Sequence, residues 1–125
     1  MKKIIISIFI SISIFLAGAF TENLLVKKSF SNFEDHLKIL YHKTELQSAT
    51  ADDAYATQTF WHNYKRKLHS IIPHVEIKEI DLWLSEAVRL IDQQKFLDAQ
   101  QKIEVLLELT EQIPKSYLLK FENIF

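Results

Sequence analysis

Apolar residues fall into two regimes along this chain: an uncharged run over residues 4–20, then stripes that return every third or fourth position. Spacing of three and four lines one face of an α-helix, whereas strands would alternate. Phe30, Phe33, Leu37, Leu40 and Tyr41 predict a first helix ending near "QSATADDA" at 47–54, a polar stretch that reads as a turn. Thr50 or Asp52 supplies an N-cap for the next helix. Phe60, Trp61, Tyr64, Leu68, Ile71 and Ile72 mark that second helix. The third carries Ile77, Ile80, Leu84, Ala87, Val88 and Ile91, and the fourth follows "DQQK" with Phe96, Ala99, Ile103, Leu106, Leu107 and Ile113. Pro114 has no N–H and biases Ile113 away from helical geometry, so the fourth helix is expected to stop there. The apolar tail "KSYLLKFENIF" then folds back. The fold class expected is all-α: an N-terminal signal or transmembrane helix followed by an antiparallel bundle of about four helices joined by short connections. The segment "LSEAVRLIDQQKFLDAQQKIEVLLEL" has the character of a tetratricopeptide hairpin, but no second copy follows at a fixed period.

The apolar run is preceded by Lys2 and Lys3 and contains "AGA" at 17–19. That order is the pattern of a secretory signal, and the small-x-small triplet fits cleavage after Ala19, giving a secreted protein. The same run, at the lower edge of what crosses a hydrocarbon core, also reads as an uncleaved signal anchor, and this is the reading preferred. Residues 1–20 are accordingly the signal or anchor, and 21–125 an extracytoplasmic domain at the cell membrane. Lys27 and Lys28 beyond the run weaken the charge asymmetry and are placed for anionic headgroups.

Composition narrows the chemistry. Hydrophobic residues make up 48% and charged residues 25%, enough for one small core. The single glycine, Gly18, lies in the apolar run, so residues 19–125 have none. Left-handed backbone positions and phosphate-cradling loops are then hard to build, which argues against P-loop, Rossmann and nucleophile-elbow chemistry. There is no cysteine, hence no disulfide and no thiolate nucleophile. With a formal net charge of -1 and no basic cluster beyond "YKRK" at 64–67, nucleic acid is not an expected partner.

The one dense group of polar chemistry is "LHSIIPHVEIKEID" at 68–81. His69 and His74 are five apart across Pro73, and His74 and Glu76 two apart, so neither pair converges on one helix face. His62 and His69 share a face but lie about 10 Å apart, too far for one zinc. The segment reads instead as a helix start, with Pro73 in the first turn and Glu76, Glu79 and Asp81 favoured by the helix dipole. Those acids are expected on a solvent face, with no catalytic or cofactor-binding residue and no cofactor assigned. Trp61 belongs to the core stripe. Trp83 lies off the main stripe of the third helix and, with Leu82 and Leu90, forms a candidate docking surface.

An N-terminal signal or anchor, Trp61, "H-x-E-I" from His74 through Glu76 to Ile77, a helical hairpin and a closing "ENI" before Phe125 resemble the family known as domain of unknown function 4363. Its members are small Gram-positive bacterial proteins with one N-terminal membrane segment. They often carry Asp before the motif histidine, where this chain has Pro73. The resemblance implies a cell-envelope location and no activity; some members are encoded beside a multi-pass membrane protein, which implies a membrane partner without identifying it. The expectation is therefore a membrane-tethered interaction module, not an enzyme. A small-ligand sensor is the alternative, and a metal-dependent hydrolase ranks last.

Overall fold

The computed structural model describes residues 1–124, and for residues 118–124 the backbone alone. Four helices account for almost all of it: α1 (Lys2–Glu45), α2 (Ala51–Leu68), α3 (His74–Asp92) and α4 (Phe96–Ile124), with no strand among the described residues. Each helix packs on its neighbours in sequence, and α1 also packs on α4. α1 is 44 residues long, about 66 Å at 1.5 Å per residue. It is uninterrupted from the apolar run into the part that packs. None of the run is buried, and α1 is long and apolar enough there to cross a membrane.

Burial begins at Val26 and follows the predicted spacing, through Phe30, Phe33, Leu37 and Leu40 on α1, Ile77, Ile80, Leu84 and Ile91 on α3, and Ile103 and Leu106 on α4. Ala87 and Ala99 are fully buried, where a larger side chain would hold α3 and α4 apart. Ser29 is also buried, and its hydroxyl finds no hydrogen-bond partner among the described residues.

The helix ends meet one expectation and correct others. Thr50 is the N-cap of α2: Asp53 N–H donates to its hydroxyl at 3.2 Å, and Thr50 N–H donates to the Asp53 carboxylate at 3.0 Å. This reciprocal box satisfies two of the donors every helix start leaves open. Left-handed positions, expected to be scarce without glycine, occur twice, at Gln47 (φ 54°) and Gln94 (φ 58°). Each lies just past a helix C-terminus, where the chain must turn sharply to pair the last carbonyls. Gln47 N–H donates to Thr44 C=O and Ser48 N–H to Lys43 C=O, and Gln94 and Lys95 repeat the pairing on Ile91 and Leu90. Recovered carbonyl bonds outweigh the steric cost of a Cβ at positive φ.

α2 ends at Leu68, so Ile71 and Ile72 lie in the corner rather than on the helix, although Ile72 is still buried. Pro73 is the N-cap of α3, with φ -54° and ψ 138°, one position before the first turn. The largest departure is Pro114, which is inside α4 and does not end it. The apolar face runs straight across it: Thr110 and Ile113 are buried, and Tyr117 packs against the core. Packing along that face compensates for the one backbone bond proline removes. The tail accordingly prolongs α4 instead of folding back, and the closing "ENI" is helical backbone whose side chains lie outside the described residues.

Candidate functional site

Trp61 lies where three helices meet. Its ring stacks on Phe33 at 4.9 Å between centroids and tilts against Phe30 at 6.1 Å, both on α1. Its indole N–H donates to Asp81 Oδ1 on α3 at 2.7 Å, and Lys65 Nζ reaches Asp81 Oδ2 at 2.9 Å. A fully buried indole donor needs an acceptor, and the carboxylate supplies a charged one. Asp81 thus corrects the expectation of a solvent-facing acid at a helix start: it is eight residues into α3 and spans the α2–α3 seam. Spacing within one helix carries no signal of a partner on another, so the bond was invisible to periodicity. Both Asp81 carboxylate oxygens are engaged, so the trio clasps α2 to α3.

The corner between α2 and α3 holds the histidines. Within one helix His69 and His74 do not converge, but the corner brings their rings to 5.6 Å, and both are exposed. Among the described residues no three His, Asp or Glu side chains gather as metal ligands do. Glu76 is half-buried and Glu79 exposed, and together they border a groove of about 270 Å³ against Leu109, Gln112, Ile113 and Ser116 of α4. Of the four residues that carry the family resemblance, Trp61 and Ile77 are buried, while His74 and Glu76 sit at the surface.

The three residues of the candidate docking surface are placed differently from one another. Leu82 is exposed, whereas Trp83 and Leu90 are partly buried and pack against the core. Lys102 of α4 lies over the Trp83 ring at 4.9 Å and pairs with Glu86 at 3.3 Å, so the α4 side covers part of that face. At the opposite end of α3, Gln47, Gln94, Lys95, Phe96, Leu97 and Asp98 line an open groove of about 500 Å³. Leu46 and Leu97, both exposed, lie at that same end.

Electrostatic links tie α1 to its neighbours. Lys43 reaches Asp53 at 2.8 Å. The Lys43 hydrogen bond, with that from Thr50 N–H, holds the Asp53 carboxyl below its ordinary value. Tyr41 donates to Glu104 on α4 at 2.8 Å, and that bond to a carboxylate raises the phenol above its usual value. Burial, then nearby Glu22, raises Tyr117 as well. No protein-family model matches the chain, and no curated protein or solved structure matches it.

Proposed function

We propose that this chain is a membrane-tethered, extracytoplasmic protein whose folded part is an antiparallel four-helix bundle and which acts by binding another membrane or envelope protein. The observation that carries the reading is α1 itself. One continuous helix joins an unburied apolar run to a stripe that enters the core, so a bilayer would bury the first part and the other helices bury the second. The antiparallel arrangement is supported by the pairing of Phe33 with Trp61 and of Lys43 with Asp53, where rising numbers on α1 meet falling numbers on α2. Lys2 and Lys3 before the run favour a cytoplasmic N-terminus. Leu82, exposed next to the covered Trp83, is the centre of the docking surface.

Fractionation of cells expressing the full chain tests the tether. The protein is expected in carbonate-washed membranes and cut by protease added outside intact cells. A soluble mature form beginning at residue 20 in the medium would overturn it. For docking, a photo-crosslinking residue at Leu82 is expected to give a discrete adduct in membranes, and a smear no different from one at exposed Tyr55 would count against that surface.

A further inference from the structure

We infer that the end of the folded part from which the apolar run emerges is a basic seat for anionic phospholipid headgroups, formed by Lys27 and Lys28 of α1, Arg66 and Lys67 of α2 and Lys78 of α3. The inference rests on the tethered reading above and adds a second contact with the bilayer, made by the folded part itself.

Four contacts place these residues at one end. The corner between α2 and α3 is closed by the neighbouring rings of His69 and His74. Trp61, two turns before that corner, packs on Phe30 of α1, close to Lys27 and Lys28. Glu76 and Glu79 at the start of α3 share a groove with Gln112, Ile113 and Ser116 of α4. Tyr117, one turn further along α4, lies within electrostatic reach of Glu22, just past the apolar run. The α2–α3 corner and the exit of the run are therefore side by side.

All five basic side chains are exposed. Among the described residues none of them has an ion pair with an acid, and Lys67 lies over the Tyr64 ring at 5.6 Å. Among the described residues the acids at this end are Glu22, Glu76 and Glu79, with Asp35 two turns along α1 from Lys28, besides Glu34, Asp81 and Glu111, which are occupied by Lys38, Lys65 and Lys115. The far end is net negative, with exposed Glu45, Asp52, Asp92 and Asp98 against exposed Arg89 and Lys95 near the groove of Gln47 and Gln94. A neutral average thus conceals a charge polarity along the molecule, and the positive end faces the bilayer.

Reach agrees with charge. Lys27 lies seven residues past Phe20, about 10 Å along a helix. The headgroup layer beyond the hydrocarbon core is about 5–8 Å thick on each side, and long Lys and Arg side chains span the remainder. Basic residues this close to the surface respond to anionic lipid and are screened by salt.

The test uses the full chain in nanodiscs, either of phosphatidylcholine alone or with phosphatidylglycerol. The chain has no cysteine, so a fluorophore can be attached at Ser70→Cys in the corner or, as a control, at Lys95→Cys at the far end. A headgroup-nitroxide lipid is the quencher. Quenching at position 70 is expected to increase with phosphatidylglycerol, while position 95 stays unquenched in both discs. That increment is expected to vanish when Lys27, Lys28, Arg66 and Lys67 are all replaced by Gln, and also for the unsubstituted lysines and arginine near 1 M salt, where the screening length is about 3 Å. The salt arm needs no variant to fold. Equal quenching in both discs, or an increment that salt leaves intact, overturns the seat and spares the tether. Failure of the chain to co-purify with either disc overturns the tether and the seat with it.

Discussion

Replacing Gln47 or Gln94 by glycine is expected to stabilise the protein. Each holds a positive φ that costs a residue with a Cβ about 1–2 kcal/mol, part of which glycine returns through the extra freedom it gives the unfolded chain. A net gain of about 0.5–1 kcal/mol per site is expected, additive for two separate corners, and read as a rise in the urea midpoint at unchanged slope. Ser29→Ala should act in the same direction by about 1 kcal/mol, because it removes a buried hydroxyl that has no partner among the described residues. Asp53 behaves differently because its contribution depends on pH. Its folded carboxyl titrates below the unfolded one, chiefly through Lys43, so its stabilisation is complete above about pH 4 and is lost as pH falls through the lower folded value. Asp53→Asn should therefore flatten the loss of melting temperature as pH falls below about 4 and lower the melting temperature at neutral pH. An unchanged acid slope would show that other carboxylates set it. The cap of α2 is legible in the sequence as one of two candidates, Thr50 or Asp52, since a small hydroxyl or acid before a helical stripe is a local signal. The left-handed glutamines are not, because no residue type announces that a turn will tolerate strain in return for paired carbonyls.

Between elements, Trp61 and Asp81 form the main polar link of α2 to α3, and a thermodynamic cycle isolates it. Trp61→Phe keeps most of the ring stacked on Phe33 but removes the N–H, and Asp81→Asn keeps the shape but removes the charge. Their coupling is expected at about 1–2 kcal/mol, the low end for a bond to a charged acceptor, because the Asp81 side chain is 30% exposed. Lys65→Met should cost less than about 1 kcal/mol, as for other partly exposed ion pairs. Pro114 is the other element-scale case. Pro114→Ala restores the N–H that can donate to the Thr110 carbonyl, so α4 should gain stability by about 1–3 kcal/mol without a change in its length. Loss of stability on that substitution would mean that the proline ring packs better than its backbone costs. Periodicity locates most of the buried face of each helix, on α4 only as far as Ile113, the residue before Pro114. The expected stop at Ile113 followed from local propensity alone, which the continuing apolar face of Thr110, Ile113 and Tyr117 overrides. In the same way Trp83 was legible as lying off the stripe, while its cover by Lys102 depends on how α3 and α4 pair.

At the scale of the whole molecule, α1 presents two kinds of surface. Its first part exposes apolar side chains on every side, with Phe9 71% and Phe15 61% exposed, whereas Val26, Phe33 and Leu37 are completely buried. A stripe on one side suits a protein core, and an all-round apolar surface suits lipid. If the two parts serve separate solvents, removing residues 1–20 should leave the folded part intact. Every residue of the hydrophobic core lies at Val26 or later, and the truncated α1 still supplies Phe30, Phe33, Leu37 and Leu40 to Trp61 and its surroundings. The shortened protein is therefore expected to be soluble without detergent, with helical circular dichroism and a melting temperature within a few degrees of the full chain in nanodiscs. It should also lose sedimentation with phosphatidylcholine vesicles, which offer the basic seat no anionic headgroup. Extending the deletion to residue 30 would remove Val26 and Phe30, at about 2–5 kcal/mol for each large buried side chain, enough to unfold a domain of this size. A collapse of helicity already at the first deletion would place the apolar run within the folding unit, and the assignment of that run to lipid would have to be withdrawn.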